Sequence, residues 1–449
     1  MERLDFEGKP LTYLIFQLAW PALLENMLHT MVFFVDMLMV ARLGTVAIAS
    51  VGLGGAMIFV VTSIFQALSV GATATVARFV GARNYEKAGR SALNAIALSI
   101  AIGVFVALFM YLFTPLFFGF FGVSPLVKKL GTIYVRTVLL FAPFRFFLFV
   151  AGASMRGAGD TRTPMKITFV MNSFNILMNY LLIFGPGPFP RLEVLGAGIA
   201  TGSSFVLGMV IYTVLLWRMI LKGPGRGGIL RFDRELLFHI VKISTPTALE
   251  QLVLRLGFVV FLRIVTSLGT IALAAHEIAV RIESMSFMLG IGFGTAAATL
   301  VGQGLGAELQ EIAEKSAWRT AFFSMVVMTL IGMFFVLFPE ALVSLFSPGK
   351  AVGEMAVLCI IVAAFEQPSI ALTMTLTGGM RGAGDTVSPL FLSFLGTFAF
   401  RIPLVYLFAI TFKLGIFGVW LGTISDWGLR GIISAVLFKR GRWKKIEIR

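Results

Sequence analysis

The stretch that decides the fold is Met-Arg-Gly-Ala-Gly-Asp-Thr at residues 155–161, because it recurs unchanged at residues 380–386. The two copies lie 225 residues apart, and the same offset aligns shorter matches elsewhere in the chain. Self-similarity at a fixed offset is typical of a duplicated fold. The sequence therefore predicts two similar halves. The further matches are Leu43-Gly44-Thr45 with Leu268-Gly269-Thr270, Pro143 with Pro368, and Pro164 with Pro389.

Apolar stretches surround both copies and continue along the whole chain. Each holds about 20 residues or more, which is long enough to cross a bilayer as a helix. Period-two alternation is missing, so strands are not expected. The first stretch exceeds the apolar core of a signal peptide and is interpreted as a retained helix. We predict an all-α polytopic membrane protein with twelve spans, at about 12–40, 46–76, 90–121, 130–154, 163–185, 195–221, 237–266, 271–303, 316–346, 352–379, 387–411 and 415–438.

The composition excludes several classes of protein. Of 449 residues, 58% are hydrophobic and only 13% are charged, which leaves too little polar surface for a soluble enzyme, a disordered chain or a nucleic-acid binder. The net charge of +15 fits cytoplasmic loops of a membrane protein instead. One cysteine, three histidines and no phosphate-binding Gly-rich motif predict no cofactor and no enzymatic activity.

The distribution of Lys and Arg predicts the orientation and the lobes. These residues concentrate in the even-numbered connections and in the C-terminal tail, which places both termini in the cytoplasm of an inner-membrane protein. Six spans per half is an even number, so both halves enter from the same side as a parallel repeat. We expect an N-lobe at 1–221, a Gly-rich cytoplasmic linker at 222–236 and a C-lobe at 237–449.

The first predicted span carries three ionisable residues on one helical face, at spacings of 4 and 11: Glu25, His29 and Asp36. Asp36 lies deepest in apolar surroundings, where a carboxylate suits a proton or sodium site. Asn172, Asn175 and Asn179 form an amide stripe on the fifth span, which either holds helices together or completes an ion cage. Glu25 is a further candidate for such a site, whereas His29 is better interpreted as a helix-contact residue.

The second half is richer in charge. Glu250 and Glu366 lack a same-helix partner and are candidates for ion coupling or substrate binding. Glu277 and Arg281 are candidates as well, although their i, i+4 spacing also suits mutual neutralisation. The two Arg-Gly-Ala-Gly-Asp-Thr loops are interpreted as structural hinges, because Gly permits tight turns and Asp-Thr begins a helix well.

Taken together, these motifs resemble the multidrug and toxic compound extrusion (MATE) family. The resemblance rests on the doubled loop, on Val-Asp-Met-Leu-Met-Val-Ala-Arg-Leu-Gly at 35–44 and on Thr-Ala-Ala-Ala-Thr-Leu-Val-Gly-Gln at 295–303. It implies two six-helix lobes around a central cavity, with alternating access. Asp36 matches the family's acid on the first helix, and Asn175 matches an Asn that accompanies it. Asn179 stands where relatives often carry Asp, while Glu277 and Arg281 replace residues similar to Gln and Asn.

The resemblance implies export of organic cations or related amphipathic compounds, driven by inward sodium or protons. We expect a monomer in the lipid bilayer that handles small molecules and no nucleic acid. The alternative within transport is a flippase for a lipid-linked sugar, which would have a strongly cationic cavity. A channel or scaffold is the alternative from another class. The arginines that favour the flippase are Arg145, Arg255, Arg263, Arg281 and Arg401.

Overall fold

The computed structural model describes residues 3–222 and 232–448, and all regular secondary structure in these ranges is helical. Most of the predicted linker 222–236 lies outside the described residues. The first half contains α1 (Leu11–Ala41), α2 (Thr45–Gly81), α3 (Tyr85–Phe120), α4 (Pro125–Leu140), α5 (Ala142–Gly157), α6 (Arg162–Phe184) and α7 (Glu193–Lys222).

The second half follows the same order of helices. It contains α8 (Arg234–Ser267), α9 (Thr270–Gly306), α10 (Gln310–Leu337), α11 (Pro339–Ser344), α12 (Lys350–Ala364), α13 (Gln367–Gly382), α14 (Val387–Phe394), α15 (Ile402–Tyr406) and α16 (Gly415–Lys439). Two π-helical turns, Leu395–Arg401 and Leu407–Thr411, join α14 and α15 into one continuous rod over 387–411. A short 3₁₀ turn, Arg442–Lys445, follows α16.

The helices confirm the predicted class of a multi-pass membrane protein. Among the described residues, seven helices are long and apolar enough to cross a membrane, and two bent pairs raise the number to nine. Together with α2, α8 and α16, these helices make twelve helical rods in the described chain, and they lie at the places of the twelve predicted spans.

Both halves contain a bent span that the hydropathy pattern does not reveal. α4 and α5 meet at 52°, and α12 and α13 also meet at 52°. Pro143 and Pro368 lie in the first turn of α5 and α13. A proline there removes a backbone donor and blocks continuation of the preceding helix, so the duplicated proline explains the duplicated bend.

The described chain forms two compact units. The first contains Leu24–Lys242, and the second contains Arg3–Leu23 together with Ile243–Arg449. α1 therefore contributes to both. In the second unit its N-terminal part buries Leu14, Ile15 and Leu18 in a cluster with Phe293 of α9. In the first unit its C-terminal part carries Asp36.

A close approach of α13 to α9 depends on Gly382. A Cβ atom at this position would overlap the carbonyl oxygen of Ala298. We expect Gly382→Ala to lower the free energy of unfolding by roughly 1–3 kcal/mol, because the two backbones must separate. Thermal unfolding in detergent measures this loss. Gly428→Ala on α16 is the control, since its Cβ meets open space, and it should be neutral or stabilising by up to about 1 kcal/mol. An unchanged melting temperature for Gly382→Ala would contradict the close approach.

Candidate functional site

Asp36 is joined to the amide stripe of α6 inside the first unit. The Nδ2 group of Asn179 donates hydrogen bonds to Asp36 Oδ1 at 2.6 Å and to Asn175 Oδ1 at 3.0 Å. Asn175 and Asn179 are buried, with Asn179 0% exposed, while Asp36 is half-buried. Three residues that the sequence singled out for one role therefore meet, from two different helices.

This site contains more hydrogen-bond acceptors than hydrogen-bond donors. Asn179 Oδ1 is buried and accepts no hydrogen bond from any residue that the structure describes. A buried acceptor without a donor is costly unless something fills its place. Beside the Asp36 carboxylate it offers an oxygen-rich environment, which suits a hard cation or a proton.

The third amide of the stripe has a different task. Asn172 Nδ2 donates to the main-chain carbonyl of Leu28 at 2.7 Å. This contact links α6 to α1 on the N-terminal side of Asp36. A transmembrane amide that bonds a neighbouring helix stabilises helix packing.

Glu25 forms an ion pair with the arginine of the first repeated loop. Arg156 Nη1 lies 2.7 Å from Glu25 Oε1, and His29 Nε2 lies 4.0 Å from the same oxygen. Glu25 is buried, so its charge is compensated where water is scarce. The structure thus places Glu25 and His29 together at the hinge loop.

Glu250 repeats this arrangement in the second unit. Arg381 Nη2 lies 2.8 Å from Glu250 Oε1, and the Ser393 hydroxyl donates to the same oxygen at 2.7 Å. Glu250 and Arg381 are the positions equivalent to Glu25 and Arg156 at the offset of 225. The arginine of each repeated motif therefore serves one buried glutamate. This partner, 131 residues away in both cases, is not visible in the sequence.

The aspartates of the two loops begin the next helix, as predicted. Asp160 accepts from the Thr163 amide at 2.9 Å and from its hydroxyl at 2.6 Å. Asp385 accepts from the Ser388 amide at 3.1 Å and from its hydroxyl at 2.6 Å. Gly159 precedes Asp160 with φ of 89°, a conformation that favours glycine.

Glu366 meets a second buried glutamate in the second unit. Gln367, the residue after Glu366, has its Nε2 3.4 Å from Glu283 Oε1, which brings the two buried glutamates into the same place. Glu366 is 1% exposed, and its Oε2 has no hydrogen-bond partner among the described residues. Glu283 is not among the residues predicted from the sequence, and the signal that could have found it is its apolar repeat-equivalent, Ile58.

A buried ion-pair network links α16 to the helical rod 387–411. Asp426 is 0% exposed and pairs at 2.7 Å with Arg401 and at 2.7 Å with Arg430. Both guanidinium groups also lie 5.3 Å from the Trp427 ring. The two arginines therefore share one carboxylate.

Glu277 and Arg281 do not form the i, i+4 ion pair that their spacing suggested. Among the described residues no ion pair within 4.0 Å includes either side chain, and Arg281 is exposed while Glu277 is half-buried. Long side chains at this spacing reach one another only in some rotamers, and an exposed arginine gains little from closing the pair.

The internal repeat separates these groups into two kinds. The Glu–Arg pairs and the Asp turns occur in both units. Asp36, Asn175 and Asn179 occur in one unit only, since the equivalent positions are Phe261, Phe400 and Leu404. Both units adopt the same fold, so a group that occurs in only one of them is not needed for folding. The unrepeated groups are therefore the better candidates for function.

Known proteins share this organisation over the whole chain. The sequence profile of the MatE family matches residues 21–181 and again residues 246–407. A "Probable multidrug resistance protein NorM" of Thermotoga maritima is 30% identical over 431 residues, 96% of this chain and 93% of that protein. A "FAD transporter" of Shewanella oneidensis is 26% identical over 77% of this chain and 76% of its own length.

A solved structure gives the same fold. The "Vibrio cholerae MATE transporter VcmN in the bent form" superposes with a TM-score of 0.88 at 22% identity, covering 96% of each chain. The MatE profile matches well over half of the chain, in two copies at the spacing of the internal repeat. The chain therefore belongs to the MatE family, the multidrug and toxic compound extrusion transporters.

Proposed function

We propose that this transporter is a secondary antiporter that exports amphipathic organic cations or related compounds in exchange for inward sodium or protons. The observation that supports the proposal is the Asp36 site. It combines a half-buried carboxylate, two buried amides and an acceptor oxygen without a donor, in one unit only. Coupling requires a group that binds the ion in one conformation and releases it in the other.

In the proposed cycle Asp36 carries the coupling ion, and Asn175 and Asn179 orient its carboxylate. The Asn179 amide holds Asp36 Oδ1, which leaves Oδ2 and Asn179 Oδ1 for the ion. A bound cation cancels the carboxylate charge, so a cationic substrate loses its counter-charge and leaves. Ion and substrate thus compete for one negative charge, which is the linkage that exchange by alternating access of two lobes requires.

For the second unit we propose two roles. Glu366, with Glu283, forms a further ionisable site, because the two carboxyl groups are buried and Gln367 brings them into the same place. Glu277 and Arg281 interact with substrate, since they remain outside ion pairs among the described residues. Glu25, His29 and Glu250 belong to the hinge-loop contacts and serve the fold.

The placement in the cell follows the positive charges. We propose a monomer in the inner membrane with both termini cytoplasmic, an N-lobe at 1–221 and a C-lobe at 237–449. A flippase for an amphipathic lipid is the second candidate. It is favoured by Arg145, a cation at membrane depth without an acidic partner among the described residues, and the name of the FAD transporter shows that a relative handles an anionic molecule.

Reconstitution into liposomes tests the proposal. The protein is placed in vesicles with equal concentrations of a fluorescent organic cation on both sides, and a sodium or a proton gradient is imposed. We expect accumulation against the concentration gradient under one of the two ions, because an antiporter converts ion movement into uphill transport. Movement that only equalises concentrations would indicate a channel. Failure of both gradients, together with lipid translocation in the same vesicles, would favour the flippase.

A further inference from the structure

Arg145 occupies an unusual place in the first unit. It lies in the first turn of α5, directly after the bend between α4 and α5. Gly157, at the end of α5, is about 18 Å further along the helix. The hydrocarbon core of a bilayer is about 30 Å thick, so Arg145 lies near its middle. An arginine at this depth is costly and marks a functional group by default.

The guanidinium group of Arg145 has aromatic neighbours and no counter-charge. It lies 5.3 Å from the Phe205 ring and 5.7 Å from the Phe149 ring. It forms no ion pair and no hydrogen bond with any residue that the structure describes. Cation–π contacts contribute about 0.5–2 kcal/mol, which offsets only part of the cost of a bare charge at this depth. The side chain is half-buried, so its five donors remain accessible.

Four other arginines in the described spans have polar partners. Arg156 and Arg381 pair with glutamates, and Arg430 pairs with Asp426. Arg136 on α4 donates to the Tyr111 carbonyl at 3.1 Å. Arg145 differs from these four, and its repeat-equivalent is the apolar Ile370. The duplicated fold therefore forms without a cation at this position.

Arg145 also shares an environment with the proposed ion site. Tyr134 of α4 packs against one cluster together with Met37, the neighbour of Asp36, and against another together with Phe205. The Phe205 ring lies 5.3 Å from Arg145, so the half-buried Tyr134 lies between the surroundings of the two charged groups. A ligand that contacts Tyr134 can therefore interact with both Asp36 and Arg145.

We infer that Arg145 binds the anionic group of the transported molecule, so that the preferred substrates are zwitterionic aromatic amphipaths carrying a carboxylate as well as a cationic group. The inference rests on the proposed export function and deepens its substrate class. The guanidinium offers a bidentate site for a carboxylate. Phe149 and Phe205 offer faces for an aromatic ring, and Asp36 receives the cationic end in competition with the coupling ion.

Equilibrium binding of a matched pair of dyes tests the inference without any ion gradient. Rhodamine B carries a free carboxylate and is zwitterionic, whereas its ethyl ester is a pure cation with the same aromatic core. We expect detergent-solubilised protein to bind rhodamine B about 10-fold more tightly than the ester, measured by fluorescence anisotropy. In Arg145→Gln this preference should disappear, with affinity for the ester unchanged or increased. Arg145→Lys should retain part of the preference, because it keeps the charge and loses the bidentate geometry.

Arg136→Gln is the matched control, since it removes another arginine of the same bent span. Its dye preference should equal that of the wild type. Equal binding of both dyes by the wild type, or an unchanged preference in Arg145→Gln, would overturn the inference. If Arg145→Gln does not fold, the same comparison in Arg145→Lys decides. Because binding is measured without a gradient, failure of antiport leaves a carboxylate preference intact, and loss of that preference leaves antiport intact.

Discussion

Asp36→Asn is expected to lower gradient-driven efflux by on the order of 100-fold while the protein remains folded. The substitution keeps the size of the side chain and an oxygen that can accept the Asn179 hydrogen bond, now 2.6 Å long. It removes the negative charge for which ion and substrate compete. Uphill transport in liposomes should therefore disappear, and exchange of labelled substrate at equal concentrations should weaken as well, because the substrate has lost its counter-charge.

Asn172→Ala is the control for this prediction, because it alters the same amide stripe without touching Asp36. It removes the hydrogen bond to the Leu28 carbonyl and should cost about 1 kcal/mol of stability. Coupling should be retained. If Asp36→Asn transports uphill as well as the wild type, the coupling ion binds elsewhere, and the Glu283–Glu366 pair becomes the first place to examine.

Arg381→Gln is expected to destabilise the protein by about 3–5 kcal/mol, the largest stability effect of any single change proposed for this chain. Glu250 has only 3% of its side chain exposed and pairs with Arg381 at 2.8 Å. Without the guanidinium, a buried carboxylate keeps one hydroxyl partner, Ser393, and no ion pair within 4.0 Å among the described residues. Thermal unfolding in detergent should show a much lower melting temperature. Arg156→Gln should behave similarly, because it leaves Glu25 in the same position.

A double-mutant cycle separates the lost ion pair from other effects of the substitution. Glu250→Gln in the Arg381→Gln background removes the uncompensated charge and should restore much of the stability. Lys444→Gln is the control, since the Lys444–Glu314 pair at 2.5 Å is about 30% exposed and should contribute less than about 1 kcal/mol. Additive losses in the cycle would show that Glu250 and Arg381 do not stabilise one another.

The transmembrane layout of this protein could be predicted from the sequence because crossing a bilayer is a constraint along the chain. A helix needs about 20 apolar residues wherever its neighbours are, and internal hydrogen bonds satisfy its backbone. The repeat of 225 residues likewise required only comparison of the chain with itself, and the MatE profile matches twice at this spacing. The role of the Asp turns followed from local geometry, since Asp160 bonds a residue three positions ahead.

The partners of the charged side chains were decided by the tertiary structure alone. Glu25 and Glu250 are candidates for ion coupling in the sequence, and the fold gives each an arginine 131 residues away. Glu277 and Arg281 have the spacing of an ion pair and do not form one. Glu283 becomes a candidate only because the fold brings α9 close to Glu366, which lies between α12 and α13. Electrostatic partnership depends on distance in space and on burial, and neither can be read from spacing once the partners lie on different helices.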